Sequence, residues 1–172
     1  LRFEHQSLSV FRGFDDFRRI NPVVRAPTLV CDDGELLMDS TLIIEYAEAL
    51  ARPRTLQPAA LPQRQHDLAL TGLALAACEK SVQIVYEHGV RPPEKLHEPW
   101  VARVTAQMLA AFDALEQQLA RAPLDASTEG ITQAGVSAAV TSQSVKALLP
   151  RHVAPPRCPQ PAWTQTRSHH CP

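Results

Sequence analysis

Three prolines fall within the fourteen residues "ARPRTLQPAALPQR", positions 51–64, and no apolar period runs through them. Proline has no amide hydrogen and clashes with the turn before it, so a stretch this dense in proline interrupts any helix or strand that would cross it. The chain is therefore expected to form two folding units, residues 1–51 and 63–149, joined by a linker at 52–62. Its 172 residues suffice for one good core or two small ones.

Before the linker, β-favouring and helical signals alternate at short range. "LRFEHQSLSV" mixes Phe3, Leu8 and Val10 with polar neighbours and is expected to be a strand. "RGFDDFRRINP" spaces Phe14 and Phe17 for a short helix that Pro22 stops. "TLVCDD" and "ELLMD" flank Asp33-Gly34 and predict a β-hairpin. From Ser40, the residues Leu42, Ile43, Tyr46, Ala47 and Leu50 fall at helical spacing, with Asp39 or Ser40 as the N-cap.

After the linker the pattern is helical throughout. "HDLALTGLALAACEKSVQIVYEHG" is apolar nearly all round in its first half, as in a helix buried in a core or a dimer contact. Val101, Val104, Met108, Phe112, Leu115 and Leu119 make one apolar stripe. "ITQAGVSAAVTSQSVKALL" predicts a third helix with Thr132 as its N-cap, although Gly135 suits a first turn poorly. The fold class expected is a mixed α/β unit followed by an all-α unit.

Composition excludes several classes. A formal net charge of -1 gives no reason to expect a nucleic-acid or anionic-membrane partner. Hydrophobic residues make up 45%, but charge or proline breaks them so often that no run approaches the roughly 18 residues of a membrane span. No signal peptide is visible. Four dispersed cysteines without a CxxC pair suit reduced thiols in a cytoplasmic protein, with Cys31 and Cys78 read as small hydrophobic side chains.

The order strand, short helix, "INPVVRAPTLV", then "DDGELLMDSTLIIEYAEAL", resembles the glutathione transferase family over residues 1 to about 149. The resemblance implies a thioredoxin-like first domain, here incomplete at its N-terminus, followed by an all-helical one. It implies a cis bond before Pro27, and places the γ-glutamyl end of glutathione on Asp39 and Ser40. It also implies glutathione as co-substrate, a small electrophile as its partner, and a homodimer. The strand and helix that begin family members, with the Ser, Tyr or Cys that activates the thiol, are expected upstream of Leu1, so no catalytic residue is named. In the family the helix containing "CEKS", residues 78–81, borders the electrophile, which points to Lys80 and Tyr86.

Elementary chemistry supports these positions. A cis bond at Pro27 would turn the amide and carbonyl of Ala26 outward, where an extended peptide pairs with them as an added strand. Asp39 supplies a carboxylate for an ammonium group, while the hydroxyl and amides at the Ser40 helix start hold a carboxylate. The same residues taken singly also fit an ordinary N-cap and an extended proline. Arg25 and Arg12 are candidates for the far carboxylate of glutathione, or else solvated surface charges. Lys80 and Tyr86 equally fit a helix face returning to solvent.

The last 23 residues, 150–172, contain six prolines and no helical period, so a packed final helix is not expected there. Cys158, His169, His170 and Cys171 carry metal-binding atoms, but adjacent His-His-Cys lacks the loop spacing of a zinc site, and no metal is expected. Three readings remain open from sequence: a transferase, a glutathione-transferase-like binding protein without turnover, and a truncated inactive product.

Overall fold

A computed structural model describes residues 1–125 and 127–149. The proline-rich tail, with Cys158, His169, His170 and Cys171, lies outside the described residues. The chain divides into two compact units, the first Leu1–Thr55 and the second beginning at Leu56.

In the first unit, α1 (Phe14–Ile20) carries Asp15 and Asp16 in its first turn and Arg18 and Arg19 in its last, each complementing the helix dipole. It turns Phe17 inward and ends at Asn21, because Pro22 cannot continue the ladder. Strands β1 (Thr28–Val30) and β2 (Leu36–Met38) pair antiparallel in the register Thr28↔Met38, Leu29↔Leu37, Val30↔Leu36. The connection closes with the Gly34 amide donating to the Cys31 carbonyl and the Cys31 amide donating to the Glu35 carbonyl, both at 2.9 Å. Gly34 takes φ +89°, a left-handed value that a residue with a Cβ adopts only at a cost. The Asp-Gly signal thus marks the hairpin, with glycine at the closing position of the turn. Helix α2 (Ser40–Leu50) follows directly.

The strand expected over residues 1–10 is not formed. That segment has no regular structure, and Phe3 is 80% exposed. A strand is stabilised by the ladder it shares with a neighbour. Among the described residues the sheet consists of β1 and β2, neither of which pairs with it.

The second unit is helical. Helix α3 (Leu61–Gly89) accepts Pro62 in its first turn, where the missing amide hydrogen costs nothing. It packs against both α4 (Glu98–Arg121) and α5 (Gln133–Leu148). Leu70, Ala77 and Ile84 of α3 meet Val104, Met108, Phe112 and Leu115 of α4 and Ala134, Ala138 and Val145 of α5 in one core. The α4 stripe is buried as its spacing predicts, except that Leu119 is only partly covered. Alanines on α3 and α5 leave room for the helices to approach closely.

Two expectations need correction here. Thr132 is the residue before α5, but its side chain makes no capping bond. Instead buried Asp67 of α3 accepts the Ala134 amide at 3.3 Å, an anion at the positive end of the helix. Residues 68–78 of α3 also contain no charge, and α3 is long and apolar enough to cross a membrane, with an 18-residue window of mean hydropathy 1.4. Thr71 and Gly72 interrupt the apolar run there without adding charge, and Glu79 ends the uncharged stretch. Within the unit, α3 contributes Leu70, Ala77 and Ile84 to the core shared with α4 and α5.

Candidate functional site

The loop from α1 to β1 is tied down by one buried side chain. The Asn21 side-chain nitrogen donates to the Thr28 hydroxyl at 2.8 Å, and its oxygen accepts the Val23 amide at 3.0 Å. Thr28 in turn donates to the Arg25 carbonyl at 2.6 Å. Asn21 is wholly buried, so these bonds satisfy groups that would otherwise be stranded. Val24 adopts φ +53° inside this loop, and the Ala26–Pro27 bond is cis. A second cis bond joins Arg52 to Pro53.

Beyond the hairpin, Asp39 has φ +77°, ψ +123°, uncommon for a residue with a Cβ, and is fixed there by two partners. Its Oδ1 accepts the Thr41 amide at 3.0 Å, the side-chain cap of α2. Its Oδ2 accepts from the Arg25 guanidinium at 2.7 Å. The Thr41 amide and then Arg25 hold the carboxyl below its ordinary value of 3.8. Ser40 is the first residue of α2 and is exposed. Ala26 is exposed beside the cis bond, and its amide and carbonyl make no hydrogen bond among the described residues.

Of the residues singled out in the sequence, Arg25 and Asp39 are thus brought into contact, with Ala26 and Pro27 next to Arg25 in the chain and Ser40 next to Asp39. Arg25 is paired with Asp39 and keeps 56% of its side chain exposed. Arg12 is exposed. Asn21 was missed, although the "INP" preceding the loop is its trace in the sequence. Cys31 has a more polar setting than a small apolar side chain needs. Charge interaction with Cys31, ahead of burial, pushes the Tyr46 phenol above its usual range. Burial raises the Cys78 thiol, with a hydrogen bond to Thr141 opposing.

Lys80 and Tyr86 part company in the second unit. Lys80 pairs with Glu79 at 3.2 Å, whereas Tyr86 lines an open cavity of about 430 Å³ with Gln83, Glu87, Val90, Arg91, Pro92 and Trp100. Among the described residues no group of three or more His, Cys, Asp or Glu side chains could hold a metal.

Residues 1–55, which include the loop, the hairpin and the acid-capped helix, match the family described as glutathione S-transferase, N-terminal domain. The first unit belongs to that family. The glutathione transferase fold also extends into the second unit. A glutathione transferase family member from Pseudomonas fluorescens Pf-5, solved with bound glutathione, is 26% identical, with a TM-score of 0.71 over 86% of this chain and 70% of its own. One from the same source with bound S-(propanoic acid)-glutathione is 27% identical, with a TM-score of 0.68 over 87% and 70%. A glutathione S-transferase from Methylobacillus flagellatus KT with glutathione bound shares the fold at 21% identity and a TM-score of 0.67, covering 79% of this chain and 66% of its own. No curated protein matches.

Proposed function

We propose that the chain binds glutathione at Ala26, Pro27, Asp39 and Ser40 and transfers its thiolate to a small electrophile, as a cytoplasmic homodimer. The observation that carries this reading is the exposed, unpaired backbone of Ala26 at the cis bond, in a unit where Arg25 already grips Asp39 at the start of α2. The cysteinyl amide of the tripeptide pairs with Ala26 as an added strand. The γ-glutamyl ammonium goes to the Asp39 carboxylate, which it shares with Arg25, and the α-carboxylate goes to the Ser40 hydroxyl and the amides of the first turn. Arg25, with 56% of its side chain exposed, retains donors for a carboxylate. That a relative from Pseudomonas fluorescens Pf-5 was solved with bound glutathione supports the choice of this tripeptide.

In the transfer, the sulfur of the thiolate forms a bond to an electrophilic carbon, and the displaced electron pair leaves with the departing group or settles on the adjacent carbon of an alkene. Tyr86 is the candidate for contact with that electrophile, with Lys80 six residues before it on α3. The dimer is supported by Leu68, Leu75 and Val82, each seven residues from the next and 61%, 42% and 38% exposed.

Calorimetric titration with glutathione tests the site. Asp39→Ala should weaken binding at least about ten-fold, the scale of a lost charge-assisted bond. Unchanged affinity would remove Asp39 from the site. Conjugation of a chloronitrobenzene by the same preparation supports the transferase reading, whereas binding without turnover would leave a glutathione-binding protein.

A further inference from the structure

One peptide plane links the two halves of the candidate glutathione site, and it is held from inside the first unit. The peptide between Arg25 and Ala26 is planar and trans, so its carbonyl and its amide hydrogen point in opposite directions. The Arg25 carbonyl accepts from the Thr28 hydroxyl at 2.6 Å. The Ala26 amide, on the other side of the plane, therefore points away from that hydroxyl, and it makes no hydrogen bond among the described residues. The Cα of Arg25 lies in the same plane and carries the guanidinium that reaches Asp39 at 2.7 Å.

The Thr28 hydroxyl has a single proton, and Asn21 decides where it goes. The Asn21 side-chain nitrogen donates to this oxygen at 2.8 Å, so the hydroxyl is an acceptor on that side and is left to donate to the Arg25 carbonyl. Asn21 is itself held at its other polar groups. Its side-chain oxygen accepts the Val23 amide at 3.0 Å, its backbone carbonyl accepts the Val24 amide at 2.9 Å, and its own amide donates to the Phe17 carbonyl at 2.8 Å. A wholly buried side chain bonded at both ends makes a stiff anchor, and the bonds run outward from it through Thr28 to Arg25. An apolar residue at position 21 could fill the same space, but it could not orient the hydroxyl.

We propose that Asn21 is a positioning residue of this site: through Thr28 it fixes the Arg25–Ala26 peptide plane, turning the Ala26 amide toward an incoming extended peptide and carrying Arg25 to Asp39. The first of these roles rests on the glutathione reading; the second does not.

Asn21→Ala would strand the Val23 amide along with removing the anchor, so Thr28, between anchor and site, is the position to change. In the full chain, Thr28→Val keeps the β-branched shape at the start of β1 and removes the hydroxyl. It should weaken glutathione about three- to ten-fold in calorimetry, the factor that one neutral hydrogen bond carries. It should also raise the carbon-13 titration of the Asp39 carboxyl part of the way to 3.8, by no more than Arg25→Ala does. Thr28→Ser, which keeps the proton, should restore both. Added to Arg25→Ala, Thr28→Val should shift Asp39 no further, because the relay ends at Arg25. Phe17→Leu, which loosens α1 without removing a group of the relay, should lower the melting temperature and leave the Asp39 titration in place. An unchanged Asp39 titration in Thr28→Val, no rescue by Thr28→Ser, or a shift of the same size in Phe17→Leu overturns the proposal. Glutathione affinity that Thr28→Val leaves intact overturns the role assigned at Ala26. A parent chain that binds no glutathione overturns the tripeptide reading instead, while the Asp39 titrations still decide whether Asn21 carries Arg25 to its partner.

Discussion

The Arg25 guanidinium lies 2.7 Å from the Asp39 carboxylate, joining the residue before the cis-proline dipeptide to the cap of α2. The two are fourteen positions apart and belong to no common element. The pair is largely exposed, so its worth is positional more than energetic.

Asp39 is expected to titrate below its ordinary value of 3.8, and Arg25→Ala to raise it only part of the way back, because the Thr41 amide is the larger cause. A carboxyl depressed in the folded state adds stability above its unfolded value, and that stability is lost as pH falls through the folded one. The first unit should therefore lose this contribution below about pH 3.8, the unfolded value, and not on the alkaline side. Carbon-13 titration of the Asp39 carboxyl checks both statements.

Replacing Asp67 tests its role as the anion at the start of α5. Asp67→Ala should cost about 1–2 kcal/mol in urea unfolding, the usual range for a lost cap. Asp67→Asn, which keeps an acceptor for the Ala134 amide, should cost less. Equal losses would mean that charge, not the hydrogen bond, matters at this position.

Phe112 is fully buried at the centre of the helical core. Phe112→Ala should destabilise the second unit by about 3–5 kcal/mol through lost burial and a residual cavity. Leu119→Ala, at the partly covered end of the same stripe, should cost clearly less. Denaturant midpoints of the two variants give the comparison.

Glycine substitutions should differ in sign. Gly34→Ala forces a Cβ onto φ +89° and should destabilise the hairpin by about 1 kcal/mol. Gly72 sits mid-helix in α3 with nothing within 4 Å of a built Cβ, so Gly72→Ala should stabilise by about 0.5–1 kcal/mol. Thermal melts of both variants decide the matter.

The hairpin, α2 and the α4 stripe were legible because local chemistry dictates them: a glycine at a turn, an acid at a cap, an apolar residue every third or fourth place. Residues 1–10 were misread because a strand's existence is decided by its neighbour, which composition cannot report. The Asp39-Ser40 cap was visible in sequence, but its bond to Arg25 was not, since it depends on how the intervening loop and hairpin fold back. Asp67 was hidden for a related reason. Its partner amide lies 67 positions away, and nothing in "HDLAL" distinguishes a tertiary cap from an ordinary surface acid.

That long separation has a consequence for how the helical unit assembles. Helix α5 contains Gly135, Val136, Val140 and Thr141 among its alanines and serines, a composition that propagates a helix weakly by itself. Its starting amide is bonded to a side chain supplied by α3, so the first turn of α5 is completed only when α3 is already in place. Helix α5 is therefore expected to dock after α3 has formed, and the Ala134 amide would report that docking. Its hydrogen-exchange protection should appear together with the packing of Val145 in the core, and after that of α3 against α4.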